Sequence, residues 1–333
     1  MSIWKNTKFI KSYGFLEKRQ NSRYNVSISR FFVSNRSKNR VKVFHVEQRG
    51  EMMRKDFACI VISHGRPECS TVKVLRDCGY TGKIYIVVDD EDKTLPDYVE
   101  RYGNDVHVFH KEENFDTGDL GGSKACGVFA RNQCLTVAEK NRLTYYLELD
   151  DDLESLTYRY NDDGHLRGIK ARELDRLFEG MCIYFDEAPV QCIGFGNAVD
   201  YIGGVPTFES GKANRTVMNS FFLRTSNKIQ WRSRNSDDII TVVDEAQKGH
   251  AGFRLTPVMN KFDVWIPKRK SNASGGSIDE YNKIGSYKLR YYAVMFHPDC
   301  IKIKESGEGY DWSVTSENAY PKIMSGRYKK GRT

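Results

Sequence analysis

FACIVIS at residues 57–63, IYIVVDD at 84–90 and TYYLELDDD at 144–152 are three short apolar runs, each ending in a polar cluster, and the reading of the fold turns on them. Each is rich in β-branched and aromatic residues and too short for a typical buried helix, so each is read as a buried strand. Between them lie a helical stretch opened by Pro67 and running to Cys78, a short one near Leu95 to Arg101, a strand DVHVF at 105–109, and a longer helix from Ser123 to about Lys140. Such alternation predicts an α/β architecture, a mainly parallel sheet flanked by helices, with ligands gathered at the carboxyl ends of the strands. Those ends carry Ser63-His64-Gly65-Arg66, Asp89-Asp90 and Asp150-Asp151-Asp152. No GxGxxG follows the first strand, so the usual dinucleotide phosphate cradle is missing.

From Asp151 onward the alternation gives way to an α+β half. An amphipathic helix is expected around Arg172 to Phe185, then a Gly-rich stretch GFGNAVDYIGG (194–204) and a strand TVMNSFFLR (216–224). A second amphipathic helix begins near Ser236, read as its N-cap, with Asp237 and Asp238 in the first turn, and ends at Gly249. Strand FRLTPVM, a polar loop SNASGGS (271–277) suited to a lid, and an apolar strand in YAVMFHPD follow. The chain divides into a basic extension at 1–50, an alternating half at 51–155, and a second half at 156–333 that ends in a basic tail.

The chain has 333 residues, 39% hydrophobic and 29% charged, with eight prolines, the balance of a globular protein. No apolar run approaches the length of a membrane span. Eight cysteines occur without CxxC spacing, Cys59 and Cys134 inside apolar patterns; they are read as reduced, and the compartment as cytoplasmic, a host's cytoplasm for a phage-encoded chain. The net charge of +8 is concentrated at the start, where residues 1–45 hold eleven Lys/Arg against the single acid Glu17. Phe9, Tyr13, Phe15, Tyr24, Phe31 and Phe32 interleave with those charges, an arrangement suited to single-stranded nucleic acid. A transit peptide and a packed basic extension have the same composition.

Asp150 and Asp152 are the strongest chemical signal. Carboxylates two apart in a turn at a strand end can converge on one hard divalent cation, Mn2+ or Mg2+, and such an ion could neutralise the diphosphate of a sugar nucleotide. A solvated acidic turn is the bland reading of the same residues; the position at the end of the fourth strand favours the metal.

The order strand-SHGRP, strand-VVDDED, a helix bearing Lys124, Arg131 and Asn132, and strand-ELDDD resembles a GT-A (Rossmann-like) glycosyltransferase over about residues 57–155. More closely, GYTGKIYIVVDDED (79–92) and YYLELDDDLE (145–154) resemble the TET-associated glycosyltransferase family, related to the kinetoplastid base J glucosyltransferase. The resemblance implies a UDP-sugar donor, a 5-hydroxymethylpyrimidine in DNA (hydroxymethylcytosine or hydroxymethyluracil) as acceptor, and inversion. It makes residues 51–155 the nucleotide-sugar half and 156–333 the acceptor half. Ser63, His64, Arg66, Asp89 and Asp90 are then expected beside the nucleoside, Lys124 and Arg131 near phosphate or sugar oxygens, with Asp150 and Asp151 also on the donor. The metal set is Asp150, Asp152 and a late histidine, His297, with His250 behind it. Asp238 is the expected base, with Asp237 beside it in the acceptor-side acidic motif.

A base presented to a buried donor must be flipped or single-stranded, and Phe195, Tyr201, Phe208 and Trp231 are candidates for its walls, although such aromatics are more often core. Rival readings are a GT-A enzyme acting on a polysaccharide or protein, a metal-dependent nuclease using the same aspartates, and a noncatalytic nucleic-acid binder.

Overall fold

All six residues of β1 (Phe57–Ile62) are buried, as expected for a central strand covered on both faces. The computed structural model, which describes residues 20–21, 26–27, 54–111, 127–187, 190–197, 203–206, 218–248, 262–265, 285–306 and 309–319, surrounds β1 with the predicted alternation. In chain order these elements are α1 (Ser70–Asp77), β2 (Lys83–Asp89), α2 (Leu95–Tyr102), β3 (Val106–Phe109), α3 (Val128–Lys140) and β4 (Tyr145–Asp150), the last also buried throughout. α1 starts three residues after Pro67, because Cys69 adopts a left-handed conformation ahead of it. Gly79, at φ +84°, turns the chain out of α1; a Cβ there would lie 3.2 Å from the Glu173 nitrogen.

β1 runs parallel to both β2 and β4, and β2 parallel to β3. The chain moves outward from β1 to β3 and then returns to the other flank of β1 as β4. This reversal opens a crevice at the carboxyl ends of β1 and β4, where ligands of doubly wound sheets bind.

The second half completes the same sheet. β7 (Cys192–Ile193) and β9 (Ser220–Arg224) give the order β3-β2-β1-β4-β9-β7, both antiparallel contacts being made by β9. The sheet therefore draws on both segments separated at 155/156. A hairpin of β5 (Ser155–Asp162) and β6 (His165–Lys170), which the sequence pattern does not suggest, joins β8 (Gly196–Asn197) and β10 (Phe262–Trp265) in a four-stranded sheet. Asp163 and Gly164 both take positive φ at its turn, and this Asp-Gly pair is the one hairpin signal the segment carries.

α4 (Leu174–Glu187) and α5 (Asp237–Gln247) lie within two residues of their expected bounds. Ser236 does not cap α5: it is left-handed, at φ 62°, and its side chain makes no cap hydrogen bond. The segment read as an apolar strand before His297 is instead a helix, α6 (Ser286–Phe296), because short apolar runs do not distinguish strand from helix by themselves. A hairpin of β11 (Ile301–Ser306) and β12 (Gly309–Val314) and a final turn, α7 (Ser316–Ala319), follow.

Phe57 anchors the main core, stacked on Phe222 at 5.3 Å and tilted against Phe178 at 5.3 Å. A smaller core unites Ile240 and Val243 of α5 with Ala293 of α6 and Ile301 of β11. Val242 joins the main core, so α5 is the element shared by both. Seven described cysteines are buried and form no disulfide; Cys126 lies outside the described residues. Among the described residues no helix is long and apolar enough to cross a membrane. The basic arm, apart from the strand pair Gln20–Asn21 and Val26–Ser27, the basic tail, FRLTPVM and SNASGGS also lie outside them.

Candidate active site

The Asp150–Asp152 turn is held by the start of α1. Thr71 Oγ1 donates to the Asp150 carbonyl at 2.6 Å and accepts the Leu153 N–H at 3.0 Å, while Ser70 Oγ donates to the Leu153 carbonyl at 2.9 Å. The middle aspartate is turned back into the protein. Asp151 accepts hydrogen bonds from Ser63 Oγ at 2.5 Å and Arg66 Nη1 at 2.7 Å; Tyr98 supports both, its oxygen 2.5 Å from Ser63 Oγ and accepting the Arg66 N–H at 2.8 Å. Burial pushes the Asp151 carboxyl up, and Arg66 and Ser63 oppose that shift. Asp150 and Asp152 flank this anchor, with Arg66 Nη1 3.5 Å from Asp152 Oδ2.

Arg131, on α3, stands behind Asp150. Its guanidinium meets Glu148 at 2.6 Å, Asp150 at 3.1 Å and Asp237, the first residue of α5, at 2.9 Å. It lies 4.9 Å from the Phe221 ring centroid and 5.5 Å from that of Trp231. Glu148 is fully buried inside β4, and that burial pushes its carboxyl up to about 7 against the pull of Arg131. Burial likewise raises Asp237, and burial together with the Asp237 charge pushes Asp238 up to about 6. The group thus sets three carboxyls around one arginine, and burial is the first cause that raises Glu148 and Asp237.

A second polar cluster fills the ends of β1, β2 and β3. His64 Nδ1 lies 2.7 Å from Asp89 Oδ2, Lys111 Nζ 2.9 Å from Asp89 Oδ1, and the Gly65 N–H donates to Asp92 Oδ2 at 2.7 Å. Asp92 Oδ1 accepts from the Thr94 N–H and hydroxyl at 2.8 and 2.7 Å. The hydrogen bond to Asp89 raises the His64 pKa; against the effect of burial, His64 and Lys111 hold the Asp89 carboxyl below the usual range. One ligand atom from each of His64, Asp89 and Asp92 falls within 4.8 Å of the others, spacing compatible with a metal ion. Yet the carboxylate oxygens already accept from nitrogen or hydroxyl donors, and the Lys111 ammonium supplies local positive charge.

The model of the TET-associated glycosyltransferase family matches residues 57–265, well over half of the chain and the whole of both clusters. The chain belongs to this family. No curated protein matches it. A mycobacterial protein of known crystal structure matches with a TM-score of 0.41 at 10% identity, over 78% of this chain and 83% of its own; so loose a likeness adds nothing to the assignment.

In this TET-associated glycosyltransferase the fold draws Ser63, His64, Arg66, Asp89, Asp150, Asp151, Asp152 and Asp237 to one edge of the sheet, with Asp238 next in α5. Ser63 and Asp151 face each other. Arg131, expected near phosphate or sugar oxygens, meets three carboxylates. Asp90 pairs with His110 at 2.7 Å near the outer strand. His297 ends α6 with Nε2 3.0 Å from Asp244 Oδ1 of α5, buried in the smaller core's surroundings, and none of its described contacts reaches Asp150 or Asp152. Phe195 and Trp231 are core residues and form no base-stacking wall, Trp231 packing edge-on against Phe221 at 4.5 Å. Lys124, His250, Tyr201 and Phe208 lie outside the described residues.

Asp92, Lys111, Tyr98 and Glu148 are site residues that sequence reasoning does not single out. Two carry a signal: Lys111 follows the third parallel strand, and Glu148 is a lone charge inside an apolar central run.

Proposed function

We propose that the chain transfers a sugar from a UDP-sugar to the hydroxymethyl group of a 5-hydroxymethylpyrimidine in DNA, with inversion and with help from a divalent cation. The observation that carries this reading is the meeting of the Asp150–Asp152 turn with the start of α5 through Arg131, two acidic segments that this reading assigns to donor and acceptor. Family membership supports the sugar transfer and the modified base.

The donor set suits a hard cation. Asp150 and Asp152 offer only oxygen, the donor a hard divalent cation prefers, and stand two residues apart where β4 ends. Mn2+ or Mg2+ held by Asp150 and Asp152 would supply a Lewis acid for the leaving diphosphate. The His64–Asp89–Asp92 cluster, already neutralised, offers hydrogen-bond partners to the nucleoside. Asp238 takes the proton of the acceptor hydroxyl as its oxygen bonds to the anomeric carbon, and the bond from that carbon to the diphosphate breaks. His297 is assigned to its pairing with Asp244.

The test is mass spectrometry of nucleosides digested from hydroxymethylcytosine-containing or hydroxymethyluracil-containing DNA after incubation with the protein, Mn2+ and a panel of UDP-sugars. A hexose-sized or N-acetylhexosamine-sized gain supports the reading. Sugar transfer only to saccharides or proteins, or DNA cleavage without any sugar nucleotide, overturns it.

A further inference from the structure

We propose that Arg131 is a positioning residue that clamps the donor-side and acceptor-side carboxylates in a fixed relation. The inference rests on the proposed function for the roles of those carboxylates, and on the geometry for the clamp itself. Three features set Arg131 apart from an ordinary surface pairing.

Its side chain is only 10% exposed, so its charge is removed from water and answered by its carboxylate partners. The planar fork donates hydrogen bonds from both Nη atoms to β4 and makes an ion-pair contact with α5 through Nε. Nη1 meets Glu148 and Nη2 meets Asp150 on β4, while Nε meets Asp237 on α5. The plane is also bordered by Phe221 and Trp231, and Asn132, the next residue of α3, ties down the Trp231 segment. Asn132 Oδ1 accepts the Trp231 N–H at 3.0 Å and its Nδ2 donates to the Trp231 carbonyl at 3.0 Å. α3 therefore grips the segment leading into α5 at two adjacent positions, once through backbone and once through charge.

The consequence is geometric. β4 is locked into the central sheet by β1 and β9, so Asp150 has a rigid base. α5 begins after the left-handed residue Ser236 and has no side-chain cap, so its first turn takes its placement from other contacts, of which the Arg131–Asp237 pair is the shortest described ion pair to that turn. Lysine cannot copy this arrangement, because one ammonium on a flexible stem does not bridge three carboxylates in a plane. A group that orients ligands from behind typically changes metal affinity by about 10–100-fold when removed.

The test compares wild type with Arg131→Lys and, as a milder variant that keeps the guanidinium, Glu148→Gln. Three quantities are read: Mn2+ affinity by titration calorimetry, hydrolysis of UDP-sugar without acceptor, and transfer to hydroxymethylated DNA, with thermal melting as the fold control. Arg131→Lys is expected to weaken Mn2+ binding by about tenfold or more. It should also lower transfer at least tenfold further than hydrolysis, since only transfer needs both carboxylates in register; Glu148→Gln should weaken Mn2+ binding and open the same gap between transfer and hydrolysis, each to a smaller extent. A merely structural role would lower hydrolysis and transfer in equal proportion, and that result, or unchanged Mn2+ affinity in a folded Arg131→Lys protein, overturns the clamp. If Arg131→Lys does not fold, Glu148→Gln decides by the same two readouts. Wild-type protein that shows neither hydrolysis nor transfer defeats the proposed function instead, and the clamp then stands or falls on the Mn2+ titration.

Discussion

Two acidic clusters occupy the carboxyl edge of the sheet, one around Asp89 and Asp92 and one around Glu148, Asp150 and Asp237, and they are neutralised differently. In the first, His64 and Lys111 answer Asp89, and its carboxyl is held below the usual range. In the second, one buried arginine answers three carboxylates, and burial leaves Glu148, Asp237 and Asp238 raised. The difference teaches how environment divides similar residue types: a carboxylate facing two cations stays ionised, whereas carboxyls buried around one shared arginine are held raised.

Asp152→Asn strikes the second cluster hardest. It should lower transfer on the order of a thousandfold, because a metal Lewis acid contributes several kcal/mol at the transition state, while circular dichroism stays that of wild type. Wild-type turnover in this variant would break the comparison at its root. Asp238→Asn should cost roughly a hundredfold or more in kcat, as expected for loss of a general base. The pH dependence sharpens the same point. With Asp238 pushed up to about 6, the base is ionised above that pH and protonated below it. Transfer should therefore fall as pH drops through about 6, and this acid limb should vanish in whatever activity Asp238→Asn retains.

His64→Ala addresses the first cluster. We expect about a tenfold loss of donor affinity, of the size of one charge-assisted hydrogen bond, with kcat little changed. The stability effect has a definite sign. Asp89 raises the His64 pKa in the folded state, so its contribution is fully present below the unfolded value and is lost as pH rises through the folded one. Thermal melts should thus separate wild type from His64→Ala more at about pH 6 than at about pH 9; the reverse order would show that His64 is held neutral. Tyr98→Phe should have the smallest effect on activity, within about twofold, because its hydroxyl supports Ser63 and Arg66 from behind, while stability falls by about 1–2 kcal/mol as in the loss of a buried hydrogen-bonding group. Chemical denaturation measures that directly.

The alternation of apolar runs with helical stretches is legible in the sequence from residue 57 to 150, and so is the gathering of polar residues at strand ends. Less is legible beyond. The apolar stretch before His297 fits strand or helix equally well when read alone, and only packing of α6 on α5 and the terminal hairpin settles it. The β5–β6 hairpin is announced by Asp163-Gly164 but hidden by flanking residues too polar to read as strands.

By itself the sequence determined where chemistry is concentrated, since side-chain hydrophobicity and backbone preference are local properties that repeat along a strand or helix. Tertiary structure alone decided which aspartate meets which partner. Asp151 faces Ser63 and Arg66 across 88 and 85 residues, and Arg131 reaches Asp237 on a different helix. Such pairings depend on how elements pack and on which charges burial forces together, and neither is written in the spacing of neighbouring residues.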